Sequence, residues 1–270
     1  MATETTAYEK VKMARSAIRA TTADYIQGVT DKFIELHGDR RFGDDSAVIG
    51  GVGTVCGMPV TVIGTEKGHD MQERMARKFG CAGPEGYRKA LRLVKQAEKF
   101  NRPVIFFVDI QGANPGAGAE ERGIAEAIAE NLYEFGAVKT PMLTVVIGEG
   151  GSGGALALSV ADEIWMLENA YYSVIAPESC ASILYKEPSR AGDVAEYLKL
   201  TAPDLKDLGV IERIVAEPKD FGDKEEVAKF MSGLKAQIAE KLGELKKTNV
   251  NKLVKRRYGK YRGIGQYTEL

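Results

Sequence analysis

Side chains that commonly do chemistry are scarce in this chain. Only two of its 270 residues are histidine, three are cysteine and one is tryptophan. Cys56, Cys81 and Cys180 lie far apart, are odd in number and have no C-x-x-C spacing. That supports neither a disulfide framework nor a zinc site, and free buried thiols are the expectation. Charge of one sign is lacking too: 37 Lys and Arg face 38 Asp and Glu, a net charge of −1. General nucleic-acid binding needs a basic excess to neutralise phosphates, so no specific nucleic-acid partner is expected. No stretch approaches ~20 uninterrupted apolar residues, and the amino terminus lacks an apolar signal core. The expectation is a protein of the cytoplasm with no membrane partner.

With 44% hydrophobic and 28% charged residues, the chain can bury a substantial core. From about Tyr8 to Leu36 apolar residues recur at helical spacing, which predicts two helices, the second capped by Thr22 and ended by Gly38. Two β-rich runs, Ala47 to Val55 and Val60 to Ile63, flank Cys56-Gly57-Met58-Pro59 at hairpin spacing and predict an antiparallel pair. Gly83-Pro84 opens a helix whose inward stripe is Tyr87, Ala90, Leu91, Val94 and Ala97, and Asn101 and Pro103 close it. Pro103 to Asp109 reads as a buried strand, and Ile124, Ile128, Leu132 and Phe135 as the core face of the next helix. Met142 to Ile147 is another strand. Strand, loop and helix thus recur twice, which indicates parallel strands, right-handed crossovers and an α/β class. Further strands fit Glu163 to Leu167, Tyr171 to Val174 and Val210 to Val215. Beyond Asp223 the pattern is helical and charged. The expected organisation is N-terminal helices over 1–40, a core over 41–220 and a charged helical extension over 221–270, one domain overall.

The run Gly148-Glu149-Gly150-Gly151-Ser152-Gly153-Gly154-Ala155 follows a strand and opens a helix. Glycines let a ligand approach the backbone, and a helix's first turn leaves amide N–H groups unpartnered and partly positive. A phosphate loop would need Gly-Lys-Ser/Thr, but Ala155 and Leu156 follow Gly154. Gly150-x-Ser152-x-Gly154 matches a nucleophile elbow, yet the expected order is Ser, acid, His, and His37 and His69 both precede Ser152. Two readings stay open: a site where main-chain N–H groups stabilise a negatively charged oxygen, or a glycine turn that only packs a helix on a sheet.

Five runs carry a resemblance. They are Glu35-Leu36-His37-Gly38-Asp39-Arg40, Pro84 to Leu93, Pro115-Gly116-Ala117-Gly118-Ala119-Glu120-Glu121-Arg122-Gly123, Gly148 to Ala157, and Tyr172 to Leu184. In order and spacing, from about Phe33 almost to the end, the chain resembles the alpha subunit of bacterial acetyl-coenzyme A carboxylase carboxyltransferase. The resemblance implies an α/β, crotonase-like (ClpP/crotonase) spiral of repeated ββα units with helical extensions at both ends. It implies transfer of a carboxyl group from biotin on a biotin carboxyl carrier protein to acetyl-CoA, giving malonyl-CoA for fatty acid synthesis. It also implies activity only with a beta subunit, as α2β2, with zinc on beta and no metal on this chain. By the same resemblance the backbone N–H groups of Gly153 and Gly154 form the oxyanion hole for biotin, each donor worth ~3 kcal/mol when preorganised. Gly150, Gly151, Ser152, Ala155, Gly116, Ala117 and Gly118 are the implied biotin-binding residues. A rival within the class is a subunit of another biotin-dependent carboxylase or decarboxylase. A rival outside it is a non-catalytic scaffold.

Several residues depart from the family pattern or read as bland. Ile110-Gln111 and Asn114 replace the usual Thr-Pro and Tyr, and His69 stands where Arg is usual, after Lys67. The loop Gly112 to Gly118 leaves a strand end and is expected to line the same cleft. Glu120 and Glu121 suit dipole compensation rather than acid–base work. His37 is expected to cap a helix end. The six Lys and Arg residues between Lys252 and Arg262 read as a solvated face, with the phosphates of coenzyme A or an acidic carrier as the alternative. Tyr171 to Ser182 reads as core plus subunit interface.

Overall fold

Cys56 and Gly57 both adopt left-handed φ, 47° and 75°. Two such residues in succession make a tight turn whose twist suits a hairpin. The strands it joins, β2 and β3, pair antiparallel in full register from Val48↔Thr65 to Val55↔Met58. The computed structural model describes residues 5–265.

In chain order the elements are α1 (Ala7–Ala14), α2 (Thr22–Val29), β1 (Lys32–Glu35), β2 (Val48–Val55), β3 (Met58–Thr65), α3 (Met71–Ala76) and α4 (Pro84–Lys99). There follow β4 (Val104–Ile110), α5 (Ala117–Glu121), α6 (Ile124–Ala137), β5 (Met142–Gly151), α7 (Ser152–Leu156), β6 (Glu163–Leu167) and β7 (Tyr171–Ser173). The remainder comprises α8 (Pro177–Tyr185), α9 (Ala191–Ala195), α10 (Ala202–Asp207), β8 (Arg213–Val215), α11 (Lys224–Lys246) and α12 (Val250–Gly263).

The sheet runs β1-β2-β3-β4-β5-β6-β8, with β7 paired to β5. From β3 onward the neighbours are parallel, and β4 and β5 are buried along their whole length, as continuous apolar runs require. The predicted inward stripe of α4 is buried throughout. Its helix starts with Pro84 behind Gly83, and Asn101 at φ 53° turns the chain away at the other end.

Three expectations are corrected. Lys32–Glu35 is not helix but an edge strand antiparallel to β2, and α2 ends at Val29 with Thr21 at its N-cap. His37 therefore caps no helix and pairs with Asp44 at 2.9 Å. None of the cysteines is fully buried: Cys56 is exposed, Cys81 and Cys180 half-buried.

The basic tail is a solvated face only in part: Lys252, Lys255, Arg256 and Arg262 are exposed, but Arg257 and Lys260 turn inward. Arg257 is 1% exposed, and its guanidinium spends all five N–H groups inside the protein. Two reach Asp162 at 3.0 and 2.7 Å, and the others reach the carbonyls of Phe135, Val138 and Thr140. Lys260 pairs with Glu212 at 2.8 Å and is largely buried. Leu253 from the same helix joins the core, as do Met231, Leu234, Ile238 and Leu242 of α11.

Candidate functional site

Parallel β4 and β5 end side by side, with Ile110 opposite Gly150. In open α/β sheets the crevice beyond such strand ends is where ligands bind. Beyond β5 the chain reverses sharply at Ser152, whose φ of 56° is left-handed for a residue that carries a Cβ. Strain of this kind concentrates at ligand-binding turns. α7 starts there, and no side chain caps its first amides. Ser152 is exposed, Gly153 half-buried, and Gly154 and Ala155 are buried.

The glycines of this turn have different causes. A Cβ on Gly151 would overlap the Gln111 carbonyl, and one on Gly154 would lie 2.7 Å from the Ala113 nitrogen and 2.8 Å from Tyr87 Oη. Both positions demand glycine because β4 and its following loop pack against them. At Gly153 the nearest atom is 3.9 Å away, in Ile128. Packing explains Gly154 and leaves Gly153 without a close neighbour on its Cβ side.

Of the loop after β4, Gly112 and Ala113 abut Gly154. Asn114 N–H donates to the Ala82 carbonyl at 2.9 Å, and Gly116 N–H donates to Asn114 Oδ1 at 2.9 Å. Gly116, Ala117 and Gly118 form the entry to α5 further along the loop, with Gly116 and Ala117 exposed. Glu120 and Glu121 are exposed on the same short helix. Tyr87 Oη, fully buried behind the turn, has no hydrogen-bond partner among the described residues, and burial pushes its phenol pKa up.

Ser152 has the backbone of a nucleophile elbow without its base. Among the described residues no hydrogen bond joins it to a histidine. His37 holds Asp44, and His69 bridges Asp24 at 2.9 Å and Glu73 at 3.0 Å. Those carboxylates, Asp24 foremost, raise the His69 pKa.

A charged floor under the strand ends escaped sequence reasoning. Lys67 Nζ lies 2.6 Å from Asp109 Oδ1 and 2.6 Å from Glu149 Oε1. Glu149, the residue before the glycine pair that ends β5, also accepts from Arg15 at 2.8 Å and from the Tyr171 hydroxyl at 2.7 Å. Arg15 continues to Glu178 at 2.6 Å, so α1 and α8 are tied to the floor. Burial works against both charges. It would lower the Lys67 pKa, but Asp109 and Glu149 outweigh it and raise the value; it would raise that of Glu149, but Lys67, Arg15 and Tyr171 hold it below the ordinary carboxylate range. A polar cavity of about 110 Å³ borders Lys67, Asp109 and Glu149. The only sequence signal was that each of these residues stands at or near the end of a strand.

Among the described residues no cluster of His, Cys, Asp and Glu is arranged to hold a metal ion, and no helix is long and apolar enough to cross a membrane.

The model of the family described as acetyl co-enzyme A carboxylase carboxyltransferase-like matches residues 1–265. A Treponema denticola protein named acetyl-coenzyme A carboxylase carboxyl transferase subunit alpha is 55% identical over 262 residues, covering 97% of this chain and 86% of that one. Its namesake in Clostridium acetobutylicum is 51% identical over 266 residues, covering 98% and 97%. A Natranaerobius thermophilus protein named as subunits beta/alpha is 52% identical over 264 residues, and there the chain spans 44% of its relative's length. Among solved structures, a Pseudomonas malonate decarboxylase hetero-tetramer in complex with coenzyme A aligns at TM-score 0.67 and 16% identity, covering 87% of this chain and 91% of that one. A transcarboxylase 12S structure aligns at 0.63 and 20%, covering 79% and 41%. At such identities the two structures speak for the fold, and they bear out the crotonase-like α/β class. Matched over nearly its whole length and identical at half or more of the aligned positions to these relatives, the chain belongs to the acetyl co-enzyme A carboxylase carboxyltransferase-like family.

Proposed function

We propose that this chain is the alpha subunit of an acetyl-CoA carboxylase carboxyltransferase, acting in the cytoplasm. It transfers the carboxyl group of carboxybiotin, carried by a biotin carboxyl carrier protein, to acetyl-CoA and yields malonyl-CoA. The observation that carries this reading is the uncapped first turn of α7, open beside Gly153 at the paired ends of β4 and β5. Organisation into helices over 1–40, a core over 41–220 and an extension over 221–270 belongs to the same proposal.

The turn fits biotin's ureido oxygen. Amides at the start of a helix point outward with partial positive charge, and the missing side chain at Gly153 leaves room for a ring to approach. Gly154 is pinned by Ala113 and Tyr87, which fixes the direction of its N–H before a ligand arrives. Donors fixed in advance cost no reorganisation when negative charge develops, and each is worth ~3 kcal/mol. Gly150, Gly151, Ser152 and Ala155 shape the wall around them, and Gly116, Ala117 and Gly118 shape the facing loop. When bound, biotin supplies the carboxyl group and, once that has left, a basic ring nitrogen. The chain then need contribute no side-chain base, consistent with two histidines that are engaged elsewhere. Holding the reactants together provides much of what remains.

The thioester side of the reaction falls to a zinc-bearing beta subunit in an α2β2 assembly. Mixing this chain with that subunit, malonyl-CoA and biocytin should release acetyl-CoA, while either subunit alone should not. Turnover of a different acyl thioester in preference would favour the decarboxylase rival. An assembled pair without turnover would overturn the proposal in favour of a scaffold.

A further inference from the structure

Of two matched runs, Glu35 to Arg40 and Pro84 to Leu93, only Tyr87 reaches the biotin turn, from behind Gly154. The two runs meet along α4, at a groove of about 370 Å³ on the molecular surface. Five cationic side chains line it against three carboxylates.

The carboxylates are largely taken, with Asp39 Oδ2 buried and without a hydrogen-bond partner among the described residues. Asp39 accepts from the backbone N–H groups of Arg41, Phe42 and Gly43 at 2.8 to 2.9 Å. Glu130 is paired with Arg41 at 3.0 Å, and Glu134 with Lys95 at 2.5 Å. Arg40 and Arg92 are left with no carboxylate within 4 Å among the described residues. Both instead donate to the same carbonyl, that of His37, at 2.7 and 3.4 Å, and Arg92 also reaches the Gly38 carbonyl at 2.9 Å. Two guanidinium groups are thus drawn together with no anion between them. Burial, and then the like charge of Arg40, lower the pKa of Arg92. Behind them Arg88 donates one nitrogen to the Arg122 carbonyl and stands 3.9 Å from Asp39, and its buried Nε has no partner among the described residues. Planar forks converging in a concavity are the arrangement that binds oxyanions bidentately.

We infer that this groove is a binding site for a phosphoryl dianion, held between Arg40 and Arg92 with Arg88 behind. The ligand is free phosphate or the terminal phosphate of an ester. The site is separate from the biotin turn and independent of the function proposed above.

Isothermal titration of the full chain with inorganic phosphate tests it, at constant ionic strength set by chloride. A saturable site should appear, and Arg40→Gln and Arg92→Gln should each weaken it at least tenfold. Arg190→Gln, which removes a surface pair with Asp193, should leave it unchanged. Arg92→Lys should recover only part, because it restores charge without the fork. Arg92 also braces loop carbonyls, so Arg40→Gln carries the test if the other variant melts early. Methyl phosphate distinguishes the sources: binding equal to phosphate assigns an ester ligand, and binding of phosphate alone assigns the free ion. Either result supports the site. No binding beyond that of chloride, or binding indifferent to both glutamine variants, overturns it.

Discussion

Replacing Lys67 with Met tests whether the charged floor is a structural keystone. Met is close to Lys in length, so the change removes the ammonium while keeping most of the stem. Lys67 bridges Asp109 and Glu149 at 2.6 Å each, and the Glu149 side chain is 1% exposed. Removing one member of a buried ion pair leaves uncompensated charge and typically costs 3–5 kcal/mol. Glu149 keeps Arg15 and Tyr171, which places the expectation at the low end, about 3 kcal/mol. In a chain of this size that should lower Tm by roughly 6 °C or more. The pH dependence should change in step. In the parent protein Glu149's folded pKa lies below the ordinary value of 4.5, so its stabilisation is present above 4.5 and lost as pH falls through the folded value. Lys67 has its pKa raised, so its contribution is present below 10.5 and lost as pH rises through the folded value. Without Lys67 the largest influence holding Glu149 down is gone, and its value rises relative to the parent. The Lys67→Met variant should then be less handicapped at pH 5 than at pH 7. Denaturant unfolding at the two pH values measures this, and Lys67→Met combined with Glu149→Gln should recover part of the loss by non-additivity. A Lys67→Met variant within about 0.5 kcal/mol of the parent at pH 7 would refute the reasoning, since that is the range of ordinary surface changes.

Other substitutions separate catalysis from packing. Gly153→Val should assemble with the beta subunit at normal stability yet lose at least 100-fold in turnover, because only the ligand's space is filled; Gly154→Ala should also destabilise the fold, through its clash with Ala113 and Tyr87. Comparing melting temperature with malonyl-CoA/biocytin turnover checks both. Ser152→Ala should leave turnover within about threefold, and a trapped acyl-Ser152 would contradict it. His69, with its pKa raised, contributes stability below about 6.5 that fades as pH rises through the folded value, so His69→Gln should flatten the stability profile in that window. Arg257→Met should cost about 3–5 kcal/mol by stranding Asp162, and truncation at Thr248 should fail to fold rather than merely lose an anion contact.

The sequence revealed what is local. Apolar runs located β4, β5 and β6, and the glycine turn announced α7, because each depends on neighbours in the chain. The strand β1 was hidden because Phe33, Ile34 and Leu36 also continue the helical spacing of α2. Its pairing with Gly51 and Gly53 is a tertiary matter. The Lys67–Glu149 bridge spans 82 residues, and no periodicity connects two charges so far apart. Arg257 was more accessible to reasoning than its charged run suggested. Leu253, Arg257 and Tyr261 recur every fourth residue, so they share one helix face, and that face meets the core.

The Arg257 anchor also sets an order of events during biosynthesis. Its partner Asp162 is translated 95 residues earlier, and the carbonyls of Phe135, Val138 and Thr140 earlier still. At 5–20 residues per second, those acceptors wait on the order of 5–20 s for their cationic guest. Through that interval, and still after β8 completes the sheet, the nascent chain carries an open seam, the stage at which a ribosome-bound chaperone has most to protect.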